Sequence, residues 1–200
     1  MATERTPPSA RPVGDQVSLF DSFSRLAAWM KEHEAGAMMQ SLSPGAKPIQ
    51  LSKLEHKLGF TVPRGLRALW LMHDGQRRAD EALIGAMQLL PIAWVLNERP
   101  STLALLKRAR AETDQLKKSG LNADEAQSDD WLPVAKHGKD CVIVNANSGR
   151  VFEGGQSEPY LKLLAGSVPQ WLASYVEAVE RDEYALVIGP DGAFLEPRFD

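Results

Sequence analysis

The residues best suited to chemistry in this 200-residue sequence are Cys141 and His137, because a thiolate beside an imidazole is a known nucleophile arrangement. Cys141 begins a continuously apolar run that ends at Val144, and no acidic residue in the motif is placed to orient the imidazole. A cysteine in such surroundings behaves as a small apolar side chain. The sequence therefore predicts an inert thiol in a core.

Metal and acid–base chemistry have equally little support. The four histidines stand singly, without a second ligand at metal-binding spacing: His33, His56, His73 and His137. The carboxylate pairs Asp129–Asp130 and Asp182–Glu183 could share a proton or hold a metal ion, but adjacent loop carboxylates are usually just solvated. No nucleophile elbow, phosphate-binding glycine loop or dinucleotide fingerprint occurs. We expect no catalytic residue, no metal site and no cofactor.

The overall charge argues against nucleic acid as a partner. A formal net charge of −3 and an isoelectric point near 5.9 supply no general attraction to phosphate backbones. The basic residues that do cluster are Lys107, Arg108, Arg110, Lys117 and Lys118. Because acidic residues lie among them, the solvated face of a helix is the better interpretation.

The sequence leads us to expect a cytoplasmic protein that does not enter a membrane. A single cysteine allows no intramolecular disulfide, which favours a reducing compartment. The longest apolar run, residues 82–96, falls short of the roughly 20 residues that a membrane span needs. The N-terminus lacks the basic and apolar regions of a signal peptide.

Strands and turns are clearest between Trp131 and Phe152. Residues 131–135 and 141–144 are apolar, the polar turn 136–140 separates them, and a second turn at 147–149 leads into residues 150–152. This pattern predicts a β-meander, which a further strand at 160–164 extends.

Helices are predicted before and after this meander along the chain. An N-terminal helix near residues 15–36 has an apolar stripe of Val17, Phe20, Phe23, Leu26, Ala27 and Met30, and must dock on something. Two short helices follow at about 49–58 and 64–73. The clearest helix is capped by Ser167 and buries Val168, Trp171, Leu172, Tyr175, Val176 and Val179.

The region between residues 82 and 130 gives weaker signals. We predict a buried strand at 82–90, a short helix after Pro91, a half-exposed helix at 102–118 capped by Ser101, and an acidic loop at 122–130. The tryptophans at positions 70, 94, 131 and 171 fall on apolar faces, so we expect them in the core.

The fold prediction is a single α+β domain with a central, mostly antiparallel sheet, the meander 131–164, packed against several helices. Residues 1–15 are expected to form a disordered tail and residues 16–200 the globular domain. Within it we expect a core at 49–183 and a C-terminal hairpin at 184–196.

Several short motifs, in order, resemble the SUKH superfamily. They are Leu54-Glu55-x-x-Leu58-Gly59-Phe60-x-x-Pro63, then Leu69-Trp70 with His73-Asp74-Gly75, then Trp131-Leu132-Pro133-Val134-Ala135, then Gly149-Arg150-Val151-Phe152-Glu153. The sequence departs from the family in the turn 136–140, at Asn145, where an aspartate is common, and at Gly154-Gly155. Residues 97–130 look like an insertion relative to a minimal member.

The resemblance implies a non-catalytic binding module, since the superfamily includes bacterial toxin-immunity proteins and a yeast regulator of cell-wall synthesis. The favoured function is an immunity protein that neutralises a cognate toxin by occlusion, and the mild acidity suits a basic nuclease-type toxin. Two alternatives stay open: a regulatory or scaffolding adaptor, and a small-molecule-binding protein or enzyme. The sequence leaves the oligomeric state open.

The predicted partner surface consists of the polar, non-periodic segments that flank the meander. Its residues are Asp124, Glu125, Asp129, Asp130, His137 and Glu153.

Overall fold

The computed structural model describes residues 14–77, 81–112, 118–155, 160–189 and 192–198. Its helices are α1 (Gly14–Glu32), α2 (Gly36–Met39), α3 (Pro48–Leu58), α4 (Arg64–Met72), α5 (Ile92–Ala111), α6 (Ala123–Gln127) and α7 (Val168–Glu180). Its strands are β1 (Glu81–Ala82), β2 (Gln88–Leu89), β3 (Trp131–His137), β4 (Asp140–Asn145), β5 (Val151–Gly155), β6 (Tyr160–Ala165), β7 (Tyr184–Gly189) and β8 (Gly192–Pro197).

A five-stranded antiparallel sheet lies at the centre, in the order β2-β3-β4-β5-β6. Strands β3 to β6 are consecutive along the chain, so the predicted meander and the α+β class are both confirmed. Gly138 and Gly149 turn the chain between these strands with φ of 53° and 73°, a conformation that glycine adopts without steric cost.

The continuous apolar run in β4 is explained by burial on both faces of the sheet. Val142 and Val144 face a large core, whereas Cys141 and Ile143 face a smaller one on the other side. Because successive strand residues point to opposite faces, a strand covered on both sides has no polar alternation.

Helices α1, α4 and α7 cover the first face of the sheet. The predicted stripe of α7 is confirmed, with all six of its apolar residues buried and Ser167 Oγ accepting a hydrogen bond from the backbone N–H of Gln170. Helix α1 packs against α4 and α7, and the side chains of Arg25 and Glu180 pair across its contact with α7. The N-terminal helix therefore docks on its own domain.

The predicted stripe of α1 was wrong at Phe20, whose side chain is 67% exposed. The buried row instead runs through Leu19, Phe23, Leu26 and Met30, at spacings of four, three and four residues. Phe20 lies about 100° around the helix from Leu19, which takes it off this row.

Helix α5 corrects the prediction of two separate helices. It is continuous from Ile92 to Ala111 and contains Pro100, so Ser101 is a mid-helix residue and not a cap. The proline removes one helical hydrogen bond, and packing of Val95, Leu105 and Leu106 against the sheet offsets that loss. The rest of the predicted helix lies mainly in residues 113–117, outside the described residues.

The second face of the sheet is covered by α5. Its residues Leu105, Leu106 and Ala109 are buried and form the smaller core with sheet residues, while Lys107, Arg108 and Ala111 on the same helix are exposed. The sheet contributes Trp131, Cys141, Ile143, Phe152 and Leu161. The segment between residues 97 and 130 therefore supports the meander that follows it.

Two further predictions were wrong in detail. The single strand expected at 82–90 is a tight β-turn unit, in which Gly85 has a φ of 58° and Ile84 and Met87 form an antiparallel bridge. The loop expected at 122–130 contains α6, which is capped by Asn122 and Glu125 in reciprocal hydrogen bonds. Both are short elements without an apolar period, which explains why periodicity missed them.

A second sheet of three strands lies beside the first, in the order β1-β8-β7. Strand β8 pairs in parallel with β1 and antiparallel with β7, so the C-terminal hairpin is joined to the middle of the chain. At the other terminus, α1 begins at Gly14, and residues 1–13 of the predicted tail lie outside the described residues.

Candidate functional site

The residues of the first family-like motif hold the turn between α3 and α4. The Glu55 side chain accepts hydrogen bonds from the backbone N–H of Val62 at 3.0 Å and from Arg67 Nη1 at 2.7 Å. Gly59 ends α3 with a φ of 80°, the left-handed conformation typical of a helix C-terminus. These residues therefore stabilise the turn between the two helices.

The second motif holds the segment that leads into α5. Trp70 Nε1 donates to the carbonyl of Leu90 at 3.1 Å, and Asp74 Oδ1 accepts from the backbone N–H of Ile92 at 2.7 Å. A Cβ on Gly75 would lie 2.4 Å from the nitrogen of Pro91, and its φ is 70°. Only glycine fits there, so this motif too serves packing.

Cys141 is confirmed as a buried core thiol. Burial raises the pKa of Cys141 to about 12, which keeps the thiol protonated at neutral pH. His137, its proposed partner in the sequence, is exposed at the end of β3 and is paired in register with Asp140. The thiol is therefore not a nucleophile in this fold.

The acidic members of the predicted partner surface lie where β3 begins, and we call Asp124, Asp129 and Asp130 the acidic end. Asp124 and Asp129 are exposed and Asp130 is half-buried. Arg110 Nη1 donates to Asp129 Oδ1 at 2.9 Å, and Asn147 Nδ2 donates to Asp130 Oδ2 at 3.5 Å. The negative charge of this end is thus partly neutralised by the domain itself.

Glu125 is a neighbour of these aspartates in the sequence, but its side chain is buried inside the protein. Its side chain is 2% exposed and accepts hydrogen bonds from Arg150 Nη1 at 2.6 Å, Ser148 Oγ at 2.6 Å and the backbone N–H of Asn122 at 3.0 Å. Arg150 also donates to the carbonyl of Gly120 at 2.9 Å. Glu125 therefore has no surface to offer a partner, and it fixes α6 to the turn before β5.

His137 and Glu153 lie at the opposite end of the sheet, where the structure brings them together around a cleft of about 620 Å³. Its lining includes Val142, Glu153 and Lys162 from the sheet, Trp171 and Tyr175 from α7, and Tyr184. Burial, followed by the negative charges of Glu153 and Asp140, raises the pKa of the nearby Tyr160 phenol above its ordinary value. We call this the β5 cleft.

A second cleft of about 650 Å³ lies on the other side of His137, between α5 and strand β8. Its lining includes Trp94, Phe194 and the ion pair of Glu98 with Lys136. Trp94 is 55% exposed, so its predicted place in the core was wrong. We call this the Trp94 cleft, and His137 and Ala86 line both clefts.

The turn that carries Ala86 is held firmly between the two clefts. Tyr175 Oη accepts a hydrogen bond from the backbone N–H of Gly85 at 2.9 Å and donates one to the carbonyl of Leu83 at 2.9 Å. Burial raises the pKa of the Tyr175 phenol above its ordinary value, so the hydroxyl stays protonated and able to donate. The ridge between the clefts is therefore pre-organised for contact.

The predicted partner surface is split between the two ends of β3. Strand β3 spans seven residues, from Trp131 at the acidic end to His137 at the clefts. At a strand rise of ~3.3 Å per residue, the two ends lie about 20 Å apart. The structure brings His137 and Glu153 together and leaves Asp124, Asp129 and Asp130 apart from them.

The sequence did not reveal that Trp94 is exposed, or that the half-buried Phe194 lines the same cleft. The sequence predicts Trp94 in the core because Trp94 stands among apolar residues, where packing is the usual role of a tryptophan. The buried positions Ile92, Val95, Thr102, Leu105, Leu106 and Ala109 define the true inner face of α5. Trp94 precedes the buried Leu105 by 11 residues, which leaves the two about 20° apart around the helix, so helical periodicity alone does not reveal that Trp94 is exposed.

Within the described residues, no group of three or more histidine, cysteine and acidic side chains could hold a metal ion. None of the described helices is long and apolar enough to cross a membrane.

Comparison with known protein families gives one match. A family model described as the SMI1 / KNR4 family (SUKH-1) matches residues 45–174, which include every motif described above. No curated protein matches the chain.

Proposed function

Since the chain belongs to the SMI1/KNR4 (SUKH-1) family, which includes toxin immunity proteins, we propose that it binds a cognate toxin and neutralises it by occlusion. It does so without catalysing a reaction, as a bacterial protein of the cytoplasm. The finding that carries this proposal is the family match. A reducing compartment also fits a chain whose one cysteine is a free, buried thiol.

The use of the motif residues supports a binding role. Glu55, Asp74 and Trp70 are all engaged in hydrogen bonds that position backbone segments. The hydrogen bonds of Trp70 and Asp74 fix the start of α5. There, Trp94 is exposed beside a cleft. An exposed tryptophan next to a rigid depression is typical of an interface hot spot, because it brings a large apolar area at a small entropic cost.

We place the toxin on the surface formed by the two clefts and the tip of the β3–β4 hairpin between them. Trp94 is the apolar anchor, and His137 and Glu153 are the polar contacts, in keeping with the residues predicted from the sequence. The rim carries interspersed charges of both signs, since Arg181 pairs with Glu183 at 2.7 Å and Lys162 lies opposite Glu153 in the sheet. Such a rim favours specificity for one partner over raw affinity.

The acidic end has a separate role in this proposal. Asp124, Asp129 and Asp130 are too far from the clefts to share the anchor's contact, but exposed carboxylates attract a basic partner from a distance. A basic nuclease-type toxin would therefore approach faster without depending on these residues to stay bound. Glu125 supports this end from inside.

The proposal is tested by isolating the partner from the native host with the full-length chain as bait and expressing each captured protein alone. A captured protein that arrests growth, and loses that effect when this chain is co-expressed, supports immunity. A partner that binds tightly without being toxic overturns it in favour of the regulatory adaptor. Toxicity that persists despite a stable complex overturns occlusion.

A further inference from the structure

The outer edge of β7 receives no backbone hydrogen bond from the described residues, whereas the outer edges of β6 and β2 are each bonded by other parts of the chain. At the outer edge of β6, the backbone N–H of Leu163 donates to the carbonyl of Ser119 at 3.1 Å. Beside β2, Gln76 exchanges hydrogen bonds with Leu89 through its backbone N–H and its side-chain oxygen. Among the residues described, none bonds the outer backbone groups of β7 in this way.

The alternation of hydrogen-bonded and non-bonded residue pairs between β7 and β8 shows which backbone groups of β7 point to its outer edge. The N–H of Arg198 donates to the carbonyl of Glu183 at 2.8 Å, and Tyr184 is opposite Pro197, which has no N–H. In an antiparallel ladder, bonded and non-bonded pairs alternate, so residues 185 and 187 bond β8. The N–H and C=O groups of Tyr184, Leu186 and Ile188 therefore point away from the hairpin.

Strand β8 gives an independent check of this alternation. The N–H of Leu195 in β8 donates to the carbonyl of Gly85 at 3.3 Å, on the side of β1. Leu195 is opposite Leu186, so this pair does not bond across the hairpin. Leu186 must then direct its own N–H and C=O to the outer edge.

Nothing in the sequence of β7 protects this edge. Its six residues are Tyr184, Ala185, Leu186, Val187, Ile188 and Gly189, without a charge or a proline, and Ile188 is 72% exposed. The register with β8 runs from Tyr184 to Gly189 without a bulge. Soluble proteins usually block an exposed edge with lysine, proline or a bulge, because an open edge pairs with other strands.

We propose that the outer edge of β7 pairs with β7 of a second copy of this chain, antiparallel and about a two-fold axis at Leu186. The open groups at 184, 186 and 188 are symmetric about Leu186, so each outward N–H meets an outward C=O of the other copy. Ile188 then lies opposite Tyr184 of the second copy, an aliphatic–aromatic pair of the kind that stabilises sheets. No charge lies opposite a like charge within the strand.

This geometry favours a second copy over an open assembly. A two-fold contact uses the same strand of both copies and leaves neither edge free, so the assembly stops at a dimer with one continuous six-stranded sheet. The hairpin lies beyond residues 45–174, which match the family, so the dimer does not depend on the proposed function. The strand is only about 20 Å long, and so short a contact gives a weak, concentration-dependent dimer.

The test compares the mass of the full chain by sedimentation velocity from low micromolar to near-millimolar concentration. The wild type should shift from monomer to dimer, and Ile188→Lys should stay monomeric. Ile49→Lys is the matched control, because Ile49 is 58% exposed on α3, and it should dimerise like the wild type. A wild type that is monomeric throughout, or an Ile188→Lys variant that dimerises equally well, overturns the proposal.

A second measurement on the wild type removes any dependence on folding of the variant. Amide hydrogen exchange at Leu186 and Ile188 should slow by about tenfold or more at high concentration, because those N–H groups become bonded only in the dimer. The amides of Ala185 and Val187 bond β8 and should be protected at both concentrations. Concentration-independent exchange at 186 and 188 contradicts the pairing.

Discussion

Arg150 Nη1 lies 2.6 Å from Glu125 Oε2, and this ion pair joins α6 to the turn between β4 and β5. The carboxylate is buried, and its other oxygen accepts from Ser148 Oγ at 2.6 Å. The ion pair therefore holds this acidic segment, which the sequence presents as a loop, in a fixed position against the rest of the domain.

Glu125→Ala should destabilise the protein by about 3 kcal/mol, because it leaves the partly buried Arg150 without its carboxylate. The free energy of unfolding in urea measures this. Asp124→Ala, at the neighbouring exposed position, is the control and should change it by no more than about 0.5 kcal/mol. Equal effects of the two substitutions would show that the ion pair is not a structural support.

Trp94→Ala should weaken binding of the cognate toxin by about 30-fold, or ~2 kcal/mol, through faster dissociation. Since Trp94 is more than half exposed, the urea midpoint should change little. Ile49→Ala removes a similarly exposed apolar side chain from α3, which lines neither cleft, and should bind like the wild type. Surface plasmon resonance resolves the two rates, and unchanged dissociation of Trp94→Ala would remove the anchor from the proposal.

Replacing Asp124, Asp129 and Asp130 together by asparagine should slow association with a basic toxin and leave dissociation nearly unchanged. These carboxylates act at a distance, so the difference from the wild type should shrink as salt is added. Loss of the exposed Arg110–Asp129 ion pair should cost little stability. A triple variant with wild-type association at low salt would exclude electrostatic steering from this end.

The stability of the protein should fall as the pH drops below about 6.5, in part because of His73. Burial lowers the pKa of His73 from its ordinary value of 6.5, its ring donates from Nδ1 to the Ser43 carbonyl at 3.2 Å, and the ring of Phe23 packs against it at 4.8 Å. The unfolded chain thus binds a proton that the folded chain binds less well, so acid favours unfolding. Above the unfolded pKa both states are neutral, and this contribution is complete.

His73→Gln should flatten that dependence. The measurement is the urea midpoint at about pH 7.5 and 5.5 for both proteins, because the other titrating groups are shared and cancel in the comparison. The wild type should lose more stability on acidification than the variant. An identical loss in both would mean that His73 takes up its proton equally well in the folded state.

The sequence specified the elements whose burial is regular. In α7, Ser167 marks the start and the spacing from Val168 to Val179 marks the buried face, so both could be predicted. The meander was recognisable because β4 is apolar on both faces and glycine stands in the turns on either side of it. Local chemistry and tertiary packing agree in these segments.

Prediction failed where tertiary packing overrode a local signal. Pro100 usually separates helices, but the cost of one missing hydrogen bond is outweighed in α5 by burial of Leu105 and Leu106 against the sheet. Trp94 lies at nearly the same helical angle as the buried Leu105, so its exposure could not be predicted from the helical period. The acidic stretch and His137 looked like one surface because both flank β3, and only the direction of that strand in space shows them to be at opposite ends.

Covering β4 on both faces has an evolutionary consequence. Val142 and Ile143 belong to different cores, so a change at either alters packing and offers nothing new to a partner. Variation that changes recognition is therefore confined to turns and to the outer side of α5, where exposed residues such as His137 and Lys139 can be exchanged at little cost in stability. A lineage could therefore change the binding partner of such a protein by substituting a few exposed residues while its interior stays constant.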